Sequence, residues 1–190
     1  MQSRLVVYIA ALAVLVVLIA GGMKFYETRV LSEDARAYVL EDLRANNPDA
    51  DVVEIFFWET RANPDGGSYY AIKARVSEGL DTPCPKRTHY TYYYPEQNFV
   101  PEPPERITIG CSVCEGNGCV IAFPEEAIIA SHTNSGAAAV HAYITRYADA
   151  MPAVVEQEDG WAVSWRSAAA GYGYDVEIAK DGEIESIARA

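Results

Sequence analysis

The sequence predicts an α+β protein in which an N-terminal transmembrane helix precedes antiparallel sheet packed by helices, arranged as two α-β-β-β units. Three observations carry this expectation. Leu5 to Met23 (LVVYIAALAVLVVLIAGGM) runs nineteen residues without a charge. Further on, short segments dense in β-branched and aromatic residues alternate with turn-forming dipeptides, and each group of them follows a stretch with apolar residues at helical spacing. Half of the 190 residues are apolar and 11% aromatic, which suffices for one packed domain or two small ones and excludes a disordered chain. The expected division is a short segment 1–4, an anchor 5–23, a first α+β unit 31–96, a Pro- and Cys-rich connector 97–123 and a second α+β unit 124–190.

The apolar run comes first. As a helix it is about 28 Å long, close to the hydrocarbon thickness of a bilayer. The rival reading is a cleaved signal peptide with Ala20, Gly21 and Gly22 at the cleavage site, but apolar signal regions are usually shorter, about 7–15 residues. Arg4 precedes the run, and Lys24 and Arg29 follow it, so charge alone does not orient it. Two features place the rest of the chain outside the cytoplasm. One is the even number of cysteines, four. The other is the acid. Only Glu27 among the acids, and Arg4, Lys24 and Arg29 among the bases, precede residue 30, leaving 26 acidic against 12 basic residues and a net charge of −14. The whole chain carries −12. Such a surface repels phosphate and excludes nucleic acid as a partner. The expected location is the cell membrane, single-pass, with the membrane itself as one partner through residues 5–23.

Phe25–Val30 extends the anchor helix, and Ser32 with Glu33 and Asp34 offers a new helix start. Ala35, Tyr38, Val39 and Leu43 recur at helical spacing until Asn46-Asn47-Pro48 stops the run. Asp51–Thr60 and Ser68–Val76 read as strands around the turn Asn63–Gly67, with Tyr70, Ile72, Ala74 and Val76 on one face and Lys73 and Arg75 on the other. Thr88–Tyr94 is a third strand. Four prolines between Pro95 and Pro104 preclude regular structure there. Cys119–Phe123 reads as a short strand, and Pro124–His132 as a helix opening on Pro, Glu125 and Glu126. Ser135 is expected to cap a helix over Gly136–Ala150. Strands follow at Ala153–Glu156, Trp161–Trp165, Tyr172–Ala179 and Ile184–Ile187, with turns at 157–160 and 180–183. The two helix-then-strands stretches align as a candidate repeat: Ala37-Tyr38 against Ala142-Tyr143, Phe57-Trp58 against Ser164-Trp165, and Tyr70–Val76 against Tyr174–Lys180.

The helix through Tyr147, then GWAVSW, then GYGYDVEIAKDGEIESI resembles the PepSY domain, and more broadly the cystatin-like arrangement of a helix wrapped by an antiparallel sheet. The resemblance covers about Ser135 to Ala188, with the N-terminal unit as a divergent second copy. It implies an extracytoplasmic binding or regulatory module and carries no catalytic residues. Another protein or a peptide is the expected partner beside the membrane.

Cys84, Cys111, Cys114 and Cys119 admit two readings. In an oxidising compartment they form two disulfides, in any of three connectivities. The alternative is a four-thiolate metal site, against which the five-residue spacing from Cys114 to Cys119 breaks the usual symmetry of paired C-x2-C ligands. Tyr90, Tyr92 and Tyr94, with Tyr93, form a possible binding surface of rigid amphipathic rings; the competing reading is a strand that simply packs rings on both faces. Of the three histidines, His89 is expected to point outward beside the tyrosine face, His141 to pack beside its helix's apolar stripe, and His132 to sit as an imidazolium at a helix C-terminus. Glu125 and Glu126 are neighbours on different helix faces and make a poor catalytic pair. No G-x-S-x-G, H-E-x-x-H or phosphate-cradling loop is present. The expectation is therefore a binding module without enzymatic activity or cofactor. A pilin-like filament subunit is the structural alternative, against which stand the missing basic leader and the missing glutamate early in the apolar run. Ile107 to Thr145 contains no Lys or Arg, which marks a surface that packs against something.

Overall fold

The computed structural model describes residues 2–63, 67–95, 102–108, 110–113 and 119–190, with side chains described only in part before residue 32. Helix α1 spans Gln2–Asn46, so it is about 67 Å long. Ser32 therefore does not begin a new helix. The apolar run and the first unit's helix are one element, because nothing between Met23 and Ser32 breaks helical backbone and Glu, Lys and Arg are good helix formers. The expected span Leu5–Met23 falls mostly outside the described side chains. Counted over the described residues alone, no helix is long and apolar enough to cross a membrane. Those side chains of the run that are described, Leu12 and Val14–Ile19, are all exposed.

The chain then builds two four-stranded antiparallel meanders, β1–β4 and β5–β8, each in sequence order. In the first, β1 (Val52–Ala62), β2 (Ser68–Glu78) and β3 (Lys86–Tyr94) form the ladder, and the two-residue β4 (Glu105–Arg106) pairs only with Thr88 and His89. The connector is thus not merely a linker, since it supplies the fourth strand. Ala35, Val39 and Leu43 of α1 bury fully against Tyr70, Ile72, Ala74 and Val76 of β2, the face expected from alternation.

In the second meander, β5 (Met151–Glu156), β6 (Gly160–Arg166), β7 (Tyr174–Ala179) and β8 (Ile184–Arg189) are covered by α2 (Pro124–Thr133) and α3 (Ala138–Arg146). Cys119–Phe123 is no strand; Ile121 N–H donates to Lys180 O at 2.7 Å and Ile121 O accepts from the Trp161 indole at 3.0 Å. Asn134, not Ser135, caps the next turn, its side chain accepting from Gly136 N–H, and a short 3-10 turn over Ser135–Ala137 precedes α3. Gly160 opens β6 because a side chain there would meet Ile178 O at 2.1 Å.

The repeat is real as geometry, in a different register from the alignment of residues. Asn47 N–H donates to Leu43 O at 2.9 Å and Ala50 N–H to Asn47 O; 100 residues later Tyr147 N–H donates to Tyr143 O at 2.9 Å and Ala150 N–H to Tyr147 O. Leu43 therefore matches Tyr143, where the alignment set Tyr38. Trp58 lies on the first strand of its sheet and Trp165 on the second, so that pairing fails as well. Identical side chains misled because they occupy different roles in the two copies. A functional equivalence survives: Asp51 accepts from Leu80 N–H at 2.8 Å, and Asp149 from Ala169 N–H at 3.1 Å. In each unit an aspartate ahead of the first strand ties down the loop between the second and third.

The two units meet across the second face of sheet one. Glu125, fully buried, accepts from Arg75 Nη1 at 3.0 and 3.2 Å and from the Ser77 hydroxyl, with Arg87 Nη1 at 3.8 Å. Arg87 Nη2 reaches Glu126 at 2.6 Å, and Glu126 also accepts from Ala122 and Phe123 N–H. Phe123 is held between the two guanidinium groups, at 4.7 Å from Arg75 and 4.4 Å from Arg87. This explains why a stretch without Lys or Arg lies here: its acids and its phenylalanine meet arginines from the other unit. Arg75, on the face opposite Tyr70, Ile72, Ala74 and Val76 as expected, is 7% exposed because the second unit covers that face.

Candidate functional site

The tyrosine strand and the end of α1 enclose a cavity of about 440 Å³. One wall is α1, where Tyr38, Asp42 and Asn46 recur every fourth residue and so share one ridge. The other wall is β3, from Tyr90 to Tyr93, and Glu102 and Pro104 close the third side. Sheet pairing explains why the space exists. Because β4 begins opposite His89, the edge of β3 that faces away from β2 borders the cavity from Tyr90 onward rather than a ladder partner among the described residues.

Hydrogen bonds fix the lining. Tyr92 donates its hydroxyl to Asp42 Oδ2 at 2.6 Å, and Asn46 Nδ2 donates to Asp42 Oδ1 at 3.0 Å. Tyr90 donates to Asn47 Oδ1 at 3.3 Å, and Asn47 in turn donates to Leu43 O. Tyr93 donates to Glu102. Burial, and then the hydrogen bond to Asp42, push the Tyr92 phenol far above its ordinary range, while the bond to Glu102 raises Tyr93. Both phenols are therefore donors at any physiological pH, and the side chains of Asp42 and Glu102 are held in place as their acceptors.

The structure brings Tyr90 and Tyr92 together at this cavity. Tyr94 lies farther along the same face, packed on Tyr38 with ring centroids 5.8 Å apart. All three are half-buried against the first core, as the packing reading describes. Residue reasoning missed Asp42, Asn46 and Glu102. The i, i+4, i+8 spacing of Tyr38, Asp42 and Asn46 was the available signal, but a helix face is assigned to a partner only when the partner strand is known.

The other singled-out residues lie elsewhere. Cys84 and Cys111 form a disulfide across 27 residues, Cys119 is also disulfide-bonded, and Cys114 lies outside the described residues. Cys84, Cys111 and His132 cluster within 4.8 Å, but disulfide sulfurs are not thiolates, which removes Cys84, Cys111 and Cys119 as ligands of the alternative metal site. His132 Nε2 lies 2.8 Å from Pro83 O and its ring is edge-on to Trp165. Burial lowers its pKa, so the expected imidazolium at the end of α2 is replaced by a neutral ring. His89 does not point outward either. Its ring packs on Phe56 at 4.7 Å and near Phe123 at 6.2 Å, with Nε2 buried and its pKa lowered by burial. His141 is exposed, lying over His132, where packing beside the apolar stripe of its helix was expected. Glu125 and Glu126 serve the inter-unit contact.

The fold and the cavity together define an α+β protein of two helix-covered antiparallel meanders, with a tyrosine- and carboxylate-lined pocket against its long first helix. No family model matches the chain, and it has no significant match among curated proteins or solved structures.

Proposed function

We propose that this chain is a single-pass, membrane-anchored, extracytoplasmic binding and regulatory module, built of two PepSY-like or cystatin-like units, whose ligand enters the cavity between α1 and β3. The observation that carries the reading is the continuity of α1. One helix bears both the uncharged apolar run and one wall of the cavity, so a ligand that shifts Tyr38 or Asp42 acts directly on the anchor. The apolar side chains exposed on Leu12 and Val14–Ile19 support an anchor, because a bare apolar surface of that extent is unfavourable in water. The disulfide between Cys84 and Cys111 supports an oxidising compartment. The module works by binding rather than catalysis: His89 and His132 are packed against aromatic rings away from the cavity, and no nucleophile–base pair adjoins it among the described residues.

The test separates anchor from domain. Carbonate-washed membranes retain the full chain and lose a chain that starts at Val30, and protease added from outside digests the domain. Release of the full chain by carbonate contradicts the reading.

One observation favours a second reading. An exposed apolar half-helix continuous with a folded domain can be covered by copies of itself as well as by lipid, which is the geometry of a pilin-like filament subunit. Detergent-solubilised chain that sediments as polymer, with anchors inaccessible to labelling, decides for the filament.

A further inference from the structure

The two units treat tyrosine differently, and the difference points to a ligand. In the second unit the helix–sheet junction is filled by Tyr143, Tyr147, Tyr172 and Tyr174, whose ring centroids lie 5.0 to 6.1 Å apart. Those rings already carry cations from the chain itself: the Arg189 guanidinium lies 3.8 Å from the Tyr172 ring and Arg146 lies 5.4 Å from Tyr147. In the first unit the corresponding junction is open. Its cavity holds two carboxylates, Asp42 and Glu102, and no Lys or Arg lines it among the described residues. Neither Tyr90 nor Tyr92 has a cation over its ring among the described residues.

We infer that the cavity receives an arginine side chain from a partner polypeptide, placed against Tyr90 and Tyr92 as Arg189 is placed against Tyr172. The inference rests on the cavity being the ligand site. Four arguments favour this guest. The ring faces are the negative pole of the aromatic quadrupole and attract a cation. The two carboxylates sit at fixed positions, and a planar guanidinium with five donors can span acceptors that a point-like ammonium meets one at a time. A cavity of about 440 Å³ holds a long side chain together with part of its backbone, more than a small free cation fills. Finally, a domain of net charge −14 draws a basic segment inward and rejects an acidic one.

The experiment uses the full chain in detergent micelles, with tyrosines carrying a ring fluorine label and observed by NMR. Three blocked heptapeptides are titrated, Gly-Ser-Gly-X-Gly-Ser-Gly with X as arginine, citrulline or glutamate. The inference expects the arginine peptide to shift the Tyr90 and Tyr92 signals, with citrulline and glutamate weaker by about tenfold or more. E102Q, at an exposed position that leaves the core intact, weakens the arginine peptide several-fold at unchanged thermal midpoint, and D42N, which keeps one of the two acceptor oxygens that Tyr92 and Asn46 use, weakens it several-fold as well. Equal binding of citrulline and arginine at these rings overturns the inference and leaves the cavity as a binding site. Failure of all three peptides to shift them overturns both.

Discussion

Compared side by side, the two units show how one scaffold is made either solid or receptive. Each sets a helix on a four-stranded antiparallel meander, and each ends that helix with the same hydrogen bonds 100 residues apart. Where the second unit has Tyr143 and Tyr147, the first has Leu43 and Asn47. Two large rings close the second junction, and Tyr143 completes the seal by donating its hydroxyl to Tyr172 O at 3.0 Å. In the first unit Leu43 lines a cavity instead, and Tyr90, Tyr92 and Tyr93 line it from the strand. Packing density near that of a crystal is the default for a protein interior, so an unfilled junction in one of two like units is the informative one.

The comparison can be broken most severely at the contact that joins the units. Glu125→Ala leaves Arg75 and Arg87 buried without their shared carboxylate, and it is expected to cost about 3–5 kcal/mol in urea denaturation. A loss below about 1 kcal/mol would mean that the units do not depend on this contact. Tyr143→Ala opens the closed junction and is expected to cost about the same, 3–5 kcal/mol, whereas Tyr92→Phe at the open junction removes one hydrogen bond and costs about 1 kcal/mol. Reversal of that order would show the first junction to be the better packed.

Much of this was legible in the residues. Seven of the eight strands were expected within a few positions, because alternation and turn dipeptides such as Asp181-Gly182 report local geometry. The exception, β4, has two residues and exists only because β3 has a free edge. The inter-unit latch was not legible, since alternation sets Arg75 on the face opposite Ile72 and Val76 without showing that α2 covers it. Asp42 was hidden for the same reason: its partner Tyr92 lies fifty residues away, and spacing within a helix says nothing about which strand it faces. The repeat was visible and misregistered, because tyrosine and tryptophan recur for different reasons in the two copies.

Smaller effects sharpen the contrast between the units. Reducing the Cys84–Cys111 bond, which closes a loop of 27 residues, is expected to lower stability by about 2–4 kcal/mol, read as a lower urea midpoint in the presence of reductant. Acid acts more gently. His89 and His132 have pKa values lowered by burial, so the unfolded chain binds protons before the folded one does. Stability is therefore complete above the ordinary histidine pKa of about 6.5 and falls as pH drops below it. A His132→Asn variant is expected to show a shallower loss between pH 7.5 and 5.5 in thermal melts, and an unchanged slope would remove His132 from this account.

The central claim is that the first unit is receptive and the second is closed. Ring-fluorinated tyrosine signals of the membrane-embedded full chain, followed as an arginine-bearing peptide is added, test it directly. The account predicts shifts at Tyr38, Tyr90, Tyr92 and Tyr93 with Tyr143, Tyr147, Tyr172 and Tyr174 unmoved. Shifts confined to the second group, or spread evenly over both, would contradict it.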